Sequence, residues 1–283
     1  MQNIPKIKLI AADMDGTLLN NQGKISEYNL KMIKKAQENG IVFAISTGRF
    51  PENAAQIALD AGLECPVISL NGAVIELSPN RERIHEVFLE KEAAKKVFDC
   101  LEELNEGYYM FGRAAVNSRR DYPRHISEAD PEALKTLKKR VKYAYGYEAC
   151  KAALDEPQYK FFIYHSKDGH PLKEVYDALN QINDIDITAS SDINLEVMPR
   201  NANKGLGLKV LADILGIDME NTMALGDQMN DLQMIEEAGL GIAMANATER
   251  VKSSADAVTD HCNDDGVGKA IAKYCFQEEG QQV

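Results

Sequence analysis

The first eighty residues alternate between short apolar runs and longer stretches with a helical repeat. "KIKLIAAD" (6–13) is an apolar run of strand length. In "EYNLKMIKKAQENG" (27–40), Leu30, Ile33 and Ala36 share one helical face, Ser26 is placed to cap it and Gly40 to stop it. "IVFAIS" (41–46) predicts a second strand, Pro51 the opening of a second helix, and "PVISLN" (66–71) a third strand. Strand and helix in alternation mark a parallel sheet covered by helices. The same rhythm returns from residue 204. "KGLGLKVLADILG" puts Leu208, Leu211, Ala212 and Leu215 on one face, followed by strand, helix, strand, helix and strand in "NTMALGD", "NDLQMIEEAG", "LGIAMA", "TERVKSSA" and "DAVT".

The middle of the chain reads differently. Aromatic-rich strands ("YYMFGRAAVNS", "KFFIYHS") are mixed with amphipathic helices, and "DITASSDINLEVMP" (186–199) has the pattern of a hairpin. The expected fold class is therefore α/β: a Rossmann-like parallel-sheet core from residues 1–83 and 197–283, with an α+β cap domain, 84–196, inserted between its halves. The two crossings, near "ELSPNRER" (76–83) and "VMPRNAN" (197–203), are poor in apolar residues and are expected to be hinges.

Composition narrows the class without naming a function. An apolar fraction of 45% and a charged fraction of 27% are those of a soluble globular protein. No apolar run reaches the length of a membrane span, and "MQNIPKIKLI" has no signal-peptide core, so a cytoplasmic protein is expected. The five cysteines are scattered with no C-x-x-C pair, which argues against a disulfide framework or a structural zinc site. A net charge of −12 disfavours nucleic acid and anionic membrane as partners. It also repels phosphate, so a phosphate site has to reverse the sign locally.

Candidate chemistry gathers at the strand ends. In open α/β sheets, ligands bind beyond the carboxyl ends of the strands. Strand one delivers Asp13 and Asp15, strand two Ser46, Thr47, Gly48 and Arg49, and strand three Asn71 and Gly72. The C-terminal half delivers Asp227, with Asn230 and Asp231 just beyond, and Lys204 opens a helix directly after the insertion. Asp13 and Asp15 are two apart, so an extended chain points both side chains the same way. Two such carboxylates repel, and the arrangement calls for a cation or a reaction. Clustered aspartates suit Mg2+, which takes oxygen ligands. Asp13 is then a candidate nucleophile toward phosphorus and Asp15 a candidate general acid and base. Thr47, the backbone N–H after it and Lys204 offer donors to phosphate oxygens.

The motifs "DMDGTLL", "ISTGR", "SLNGA", "NKG" and "LGDQMND", in this order, resemble those of the haloacid dehalogenase superfamily. "LNGA" and "AMANA" (243–247) make the chain similar to its Cof-type hydrolases, which carry a large α/β cap at this point, and the resemblance covers the whole chain. It implies that Asp13 is the nucleophile and Asp15 the acid/base. It implies Mg2+ held by Asp13, the backbone carbonyl of Asp15, and Asp227, and phosphate held by the backbone N–H of Met14, Thr47, Gly48, Lys204 and Asn230. Asp231 is left between holding a metal-bound water and capping a helix, and Arg49 is expected to pair with acids of the site. Asn71 either bridges the phosphate pocket or fixes the turn at Gly72. His125, Arg113, Arg119 and Arg120 lie in the cap, where substrate would be read, although exposed arginines are more often simply solvated. The expected activity is a Mg2+-dependent phosphatase on a small phosphorylated metabolite, a sugar phosphate above others, acting through an aspartyl phosphate. A phosphomutase and a non-catalytic Mg2+- or phosphate-binding regulator remain alternatives. The substrate's identity and the oligomeric state are not legible in the sequence.

Overall fold

The computed structural model describes residues 6–113, 115–120, 142–164 and 169–276. The chain divides into two units, Met1–His85 with Asn203–Val283 and Glu86–Ala202. In chain order come β1 (Leu9–Ala12), β2 (Val42–Ser46), β3 (Val67–Ser69), β4 (Val74–Leu77) and β5 (Glu82–Glu86). The strands β6 (Tyr108–Gly112), β7 (Ala115–Ser118), β8 (Lys142–Tyr145), β9 (Gln158–Tyr164), β10 (Ile185–Thr188) and β11 (Asn194–Pro199) follow, then β12 (Thr222–Gly226), β13 (Leu240–Ala243) and β14 (Ala257–Val258).

The first unit is built on a sheet in the order β14-β13-β12-β1-β2-β3-β4-β5. From β14 to β3 all pairings are parallel, with Leu9 of β1 in register with Thr222 of β12 on one side and Val42 of β2 on the other. All four residues of β1 are buried, because both faces of the sheet are covered. Alternate residues divide between two hydrophobic layers: Ile10, Phe43, Ile45, Met223 and Leu225 on one face, Leu9, Ala11, Ala44 and Ala224 with Leu208, Leu211 and Ala212 on the other. The first helix, Glu27–Glu38, starts where expected, the Ser26 hydroxyl accepting from the Asn29 N–H at 3.1 Å.

Two segments differ from the sequence expectation. "ELSPNRER" is not a free hinge. It forms the β4–β5 arm at the sheet edge, β4 running antiparallel to β3. Its charges are internal partners: the Arg83 Nε donates to the buried Glu76 at 2.9 Å and the Arg81 Nε at 3.0 Å, while the second arm of Arg83 reaches Glu52 at 2.9 Å. "VMP" is likewise strand, the end of β11, which runs through the expected boundary at 196; the division into units falls after Ala202. The last element among the described residues is the helix Gly266–Cys275, where the sequence pattern predicts none.

The second unit has a sheet in the order β10-β11-β9-β6-β7-β8, antiparallel except for β7 with β8. The expected hairpin is β10–β11, with Thr188 opposite Glu196. One face packs Tyr108, Met110, Phe161, Ile163 and Val197 against the helices Lys91–Glu103, Tyr147–Ala153 and Leu172–Leu179. The strand alternation sends Lys160 and Glu196 to the opposite face, where they form a buried ion pair at 2.5 Å. The three arginines placed in the cap are bonded within the unit rather than simply solvated. Arg113 pairs with Glu86, Arg119 with Glu102 at 2.7 Å, and Arg120 donates to the Asn105 carbonyl at 2.7 Å. His125 lies outside the described residues. Among the described residues no helix is long and apolar enough to cross a membrane.

Candidate active site

Because β1, β2, β3 and β12 are parallel, the residues that follow them emerge at one edge of the first unit's sheet: Asp13, Thr47, Leu70–Gly72 and Asp227. Lys204 is brought to the same edge as the first residue of the helix Lys204–Leu215, whose N-cap Asn203 accepts from the Leu206 N–H at 2.8 Å. Two contacts seat that helix: Gly72 lies under the Asn203 carbonyl and Gly207 against Ile68, neither with room for a Cβ.

The centre of the site is a charge cluster closed to solvent. The Lys204 ammonium is fully buried and donates to Asp13 Oδ1 at 2.5 Å and Asp231 Oδ1 at 2.6 Å. Carboxylate oxygens of Asp13, Asp227 and Asp231 lie within 4.8 Å of one another. Burial and the Asp231 charge raise the Asp13 carboxyl well above its usual range, against the pull of Lys204. Burial, with Asp231 again, pushes Asp227 up to about 7. For Lys204 burial opposes the charge, but Asp13 and Asp231 more than offset it and hold the ammonium above its ordinary value. One cation thus stands against three carboxylates, and the set is short of positive charge. Hard oxygen donors, close together and underneutralised, fit Mg2+.

Asp15 stands apart. Its side chain is 57% exposed and is gripped by Arg49 through two bonds, Nε to Oδ2 at 2.7 Å and Nη2 to Oδ1 at 2.6 Å. Nη1 of Arg49 is braced on Asn53 at 2.9 Å. The expected pairing of Arg49 with an acid is therefore with the second aspartate of the motif. The Asp15 carboxylate is outside the three-aspartate cluster, so a contribution from Asp15 to a metal falls to its backbone.

Asp231 acts in part as a cap, the third residue of the 3-10 turn Met229–Asp231 bonding back to its N-cap Gln228, and it is also one of the three clustered carboxylates that could hold a metal. Its Oδ2 accepts from the N–H groups of Asp227 and Gln228, both at 2.9 Å, and its Oδ1 takes Lys204. It braces the Asp227 loop and the lysine together. Gly226 is required beneath it, since a Cβ there would lie 2.4 Å from the Asp231 Cβ. Met14 has its side chain in the core, leaving only its backbone to meet a ligand. The Thr47 hydroxyl accepts from the Arg49 N–H at 3.2 Å, and Asn71, in the left-handed region at φ 52°, donates its N–H to the Thr47 carbonyl at 3.0 Å. Asn230 donates to Asn71 Oδ1 at 3.2 Å, so Asn71 both makes the turn and orients Asn230.

Two residues of the quoted motifs, Thr17 in "DMDGTLL" and Asn246 in "AMANA", have no role legible in the sequence. Thr17 donates to Asp227 Oδ1 at 2.9 Å, and Asn246 reaches both Asp227 and the Gly16 carbonyl. Both are common polar residues in loops, and their partner lies far away in the chain.

Residues 10–271 match the haloacid dehalogenase-like hydrolase family. The chain is 35% identical over 270 residues to the 5-amino-6-(5-phospho-D-ribitylamino)uracil phosphatase YcsE of Bacillus subtilis, covering 95% of this chain and 96% of the relative. It is also 35% identical over 278 residues to the phosphatase YwpJ of the same organism, covering 92% and 97%. The solved structure of a haloacid dehalogenase-like hydrolase from B. subtilis superposes with a TM-score of 0.83 at 32% identity, covering 94% of this chain and 99% of that one. The chain belongs to the haloacid dehalogenase-like hydrolase family and is a phosphoric monoester hydrolase.

Proposed function

We propose that this enzyme is a Mg2+-dependent phosphatase of small phosphorylated metabolites, sugar phosphates and their polyol relatives, and that Asp13 carries the phosphoryl group between substrate and water. The observation that carries the reading is the buried Asp13–Lys204–Asp231 cluster beside the exposed Asp15. An Asp13 oxygen attacks phosphorus and the bond to the leaving oxygen breaks, while Asp15, which must first leave the Arg49 fork and take up a proton from solvent, gives that oxygen the proton. Asp15 then takes a proton from water, whose oxygen attacks phosphorus, releasing phosphate and restoring Asp13. Lys204 has three N–H donors and spends two on Asp13 and Asp231, which leaves one for a phosphate oxygen. The Thr47 hydroxyl, the backbone N–H groups of Met14 and Gly48, and the Asn230 amide supply the other donors. Asp13, Asp227 and the Asp15 carbonyl would hold Mg2+, which would supply charge neutralisation for the phosphate oxygens.

The sugar-phosphate class is supported by the relative named as a phosphatase of a phosphoribitylamino uracil, whose leaving group is a polyol. We assign the choice of substrate to the unit Glu86–Ala202, since every residue proposed for chemistry belongs to the other unit. The test is a panel of phosphate monoesters with and without Mg2+, including 5-amino-6-(5-phospho-D-ribitylamino)uracil, hexose and pentose phosphates and p-nitrophenyl phosphate. Release of free phosphate that needs Mg2+ and favours the sugar or polyol esters is expected. Turnover that needs a sugar bisphosphate activator and returns the phosphoryl group to sugar would make it a mutase instead.

A further inference from the structure

The "AMANA" stretch takes no part in the proposed chemistry, yet its Asn246 side chain ties together three segments distant in sequence. Its Nδ2 donates to the Gly16 carbonyl at 2.7 Å and, more weakly, to Asp227 Oδ2 at 3.4 Å, where Gln228 Nε2 also reaches at 3.4 Å. Its Oδ1 accepts from the Cys262 N–H at 3.0 Å. A backbone N–H only donates, so Cys262 decides which end of the amide is oxygen, and the NH2 end faces Gly16 and Asp227. The backbone on either side is sewn to the same loop, the Met244 N–H to the Gly226 carbonyl and the Thr248 N–H to the Asp227 carbonyl, both at 3.0 Å.

We propose that Asn246 is a positioning residue for the divalent cation: it sets the Asp227 carboxylate and the Asp15–Gly16 turn in fixed relation before the cation arrives. The inference rests on the reading of Asp227 as a metal ligand. Thr17 holds one oxygen of Asp227 and Asn246 approaches the other, so the carboxylate is restrained from both sides. Gly16 is the matching half of the device. It turns at φ +77°, and a Cβ there would meet Asp227 Oδ2 at 2.5 Å, so the turn and the carboxylate are pressed together and Asn246 ties the joint. Removing the amide leaves Asp227 on Thr17 and Gln228 and releases the Gly16 carbonyl. A small cation that demands near-ideal octahedral geometry suffers more from such loosening than a larger, tolerant one.

The test uses the full chain without substrate, following the melting temperature as Mg2+ or Ca2+ is added to metal-free protein, since a cation that binds only the folded state raises it. For Asn246→Ala the Mg2+ concentration giving half the rise is expected to increase about tenfold, as loss of a partner behind a metal ligand commonly causes. The Ca2+ half-point is expected to move less than about threefold, because Ca2+ accepts irregular geometry. Asp227→Ala, run alongside, is expected to lose the Mg2+ response. If Asp227→Ala responds like the wild type, the metal-ligand reading itself falls. If Asp227→Ala loses the response but Asn246→Ala keeps the wild-type Mg2+ half-point, or shifts Mg2+ and Ca2+ equally, the positioning role is overturned. Should Asn246→Ala not melt cooperatively, Asn246→Ser is read in the same titration by the same criteria.

Discussion

Asp13 and Lys204 are buried charges that depend on each other, since an ion without a partner is costly to remove from water. Removing the lysine should leave Asp13 and Asp231 facing each other without a cation. We therefore expect Lys204→Met to lose about 3 kcal/mol of stability or more at neutral pH in metal-free protein, read by chemical denaturation, besides losing turnover. A variant as stable as the wild type would mean that the cluster is not held by this pair. Asp227 supplies a second prediction, with a definite sign. Its folded-state pKa, about 7, lies above the ordinary 3.8, so the fold disfavours its charge. That penalty is absent below 3.8, grows as the pH rises, and is complete above about 7. In chelator, Asp227→Asn should therefore match the wild type in acid and gain stability over it as the pH rises through this window. A gap that is constant with pH, or that narrows as it rises, would contradict the assigned environment.

At the scale of elements, the strand ends proposed to carry the chemistry are legible because β1 and β2 are covered on both faces and read as unbroken apolar runs. The β4–β5 arm is not. Its proline and arginines look like a solvated crossing, and only the fold shows that Arg81 and Arg83 converge on Glu76. The helix Gly266–Cys275 is hidden in the sequence for a related reason. Two glycines near its start argue against a helix, but Gly268 lies against Tyr28 and takes the Asn29 side chain on its N–H at 2.7 Å. The motif aspartates, Thr47 and Lys204 were readable as positions, whereas Thr17 and Asn246 gain meaning only from a partner two hundred residues or more away or across the sheet edge. The helix Lys204–Leu215 offers an element-scale prediction. A Cβ on Gly207 would sit 2.6 Å from Ile68 Cγ2, so Gly207→Ala must push the helix off β3. A loss of about 1–3 kcal/mol is expected from such overpacking, read by chemical denaturation. Because Lys204 moves with the helix, kcat/KM should fall as well. Unchanged stability and kinetics would mean that the helix seat is looser than described.

For the whole molecule, a net charge of −12 repels the phosphate that the enzyme must bind, and where the strand ends meet Lys204 and Arg49 still face four aspartates, so the proposed Mg2+ would be needed to reverse the sign there. The proposed chemistry and the proposed choice of substrate fall on different units of the chain. Exchanging residues 86–202 for the corresponding segment of a relative with another preference should carry over that relative's ranking of sugar and polyol phosphates. Hydrolysis of p-nitrophenyl phosphate should persist. A folded chimera that keeps this enzyme's own ranking would return specificity to the sheet-edge site. Everything in the reading depends on Asp13 forming a bond to phosphorus, and that bond can be caught. A good substrate should be mixed with enzyme and Mg2+, quenched in acid within one turnover and treated with borohydride, which reduces an acyl phosphate to the alcohol. Peptide mapping should then find homoserine at position 13 in the wild type and none in Asp13→Asn, whose turnover should be lost. Efficient turnover with no modified residue 13, or an Asp13→Asn variant within about tenfold of the wild-type rate, a difference of only about 1.4 kcal/mol, would contradict the account.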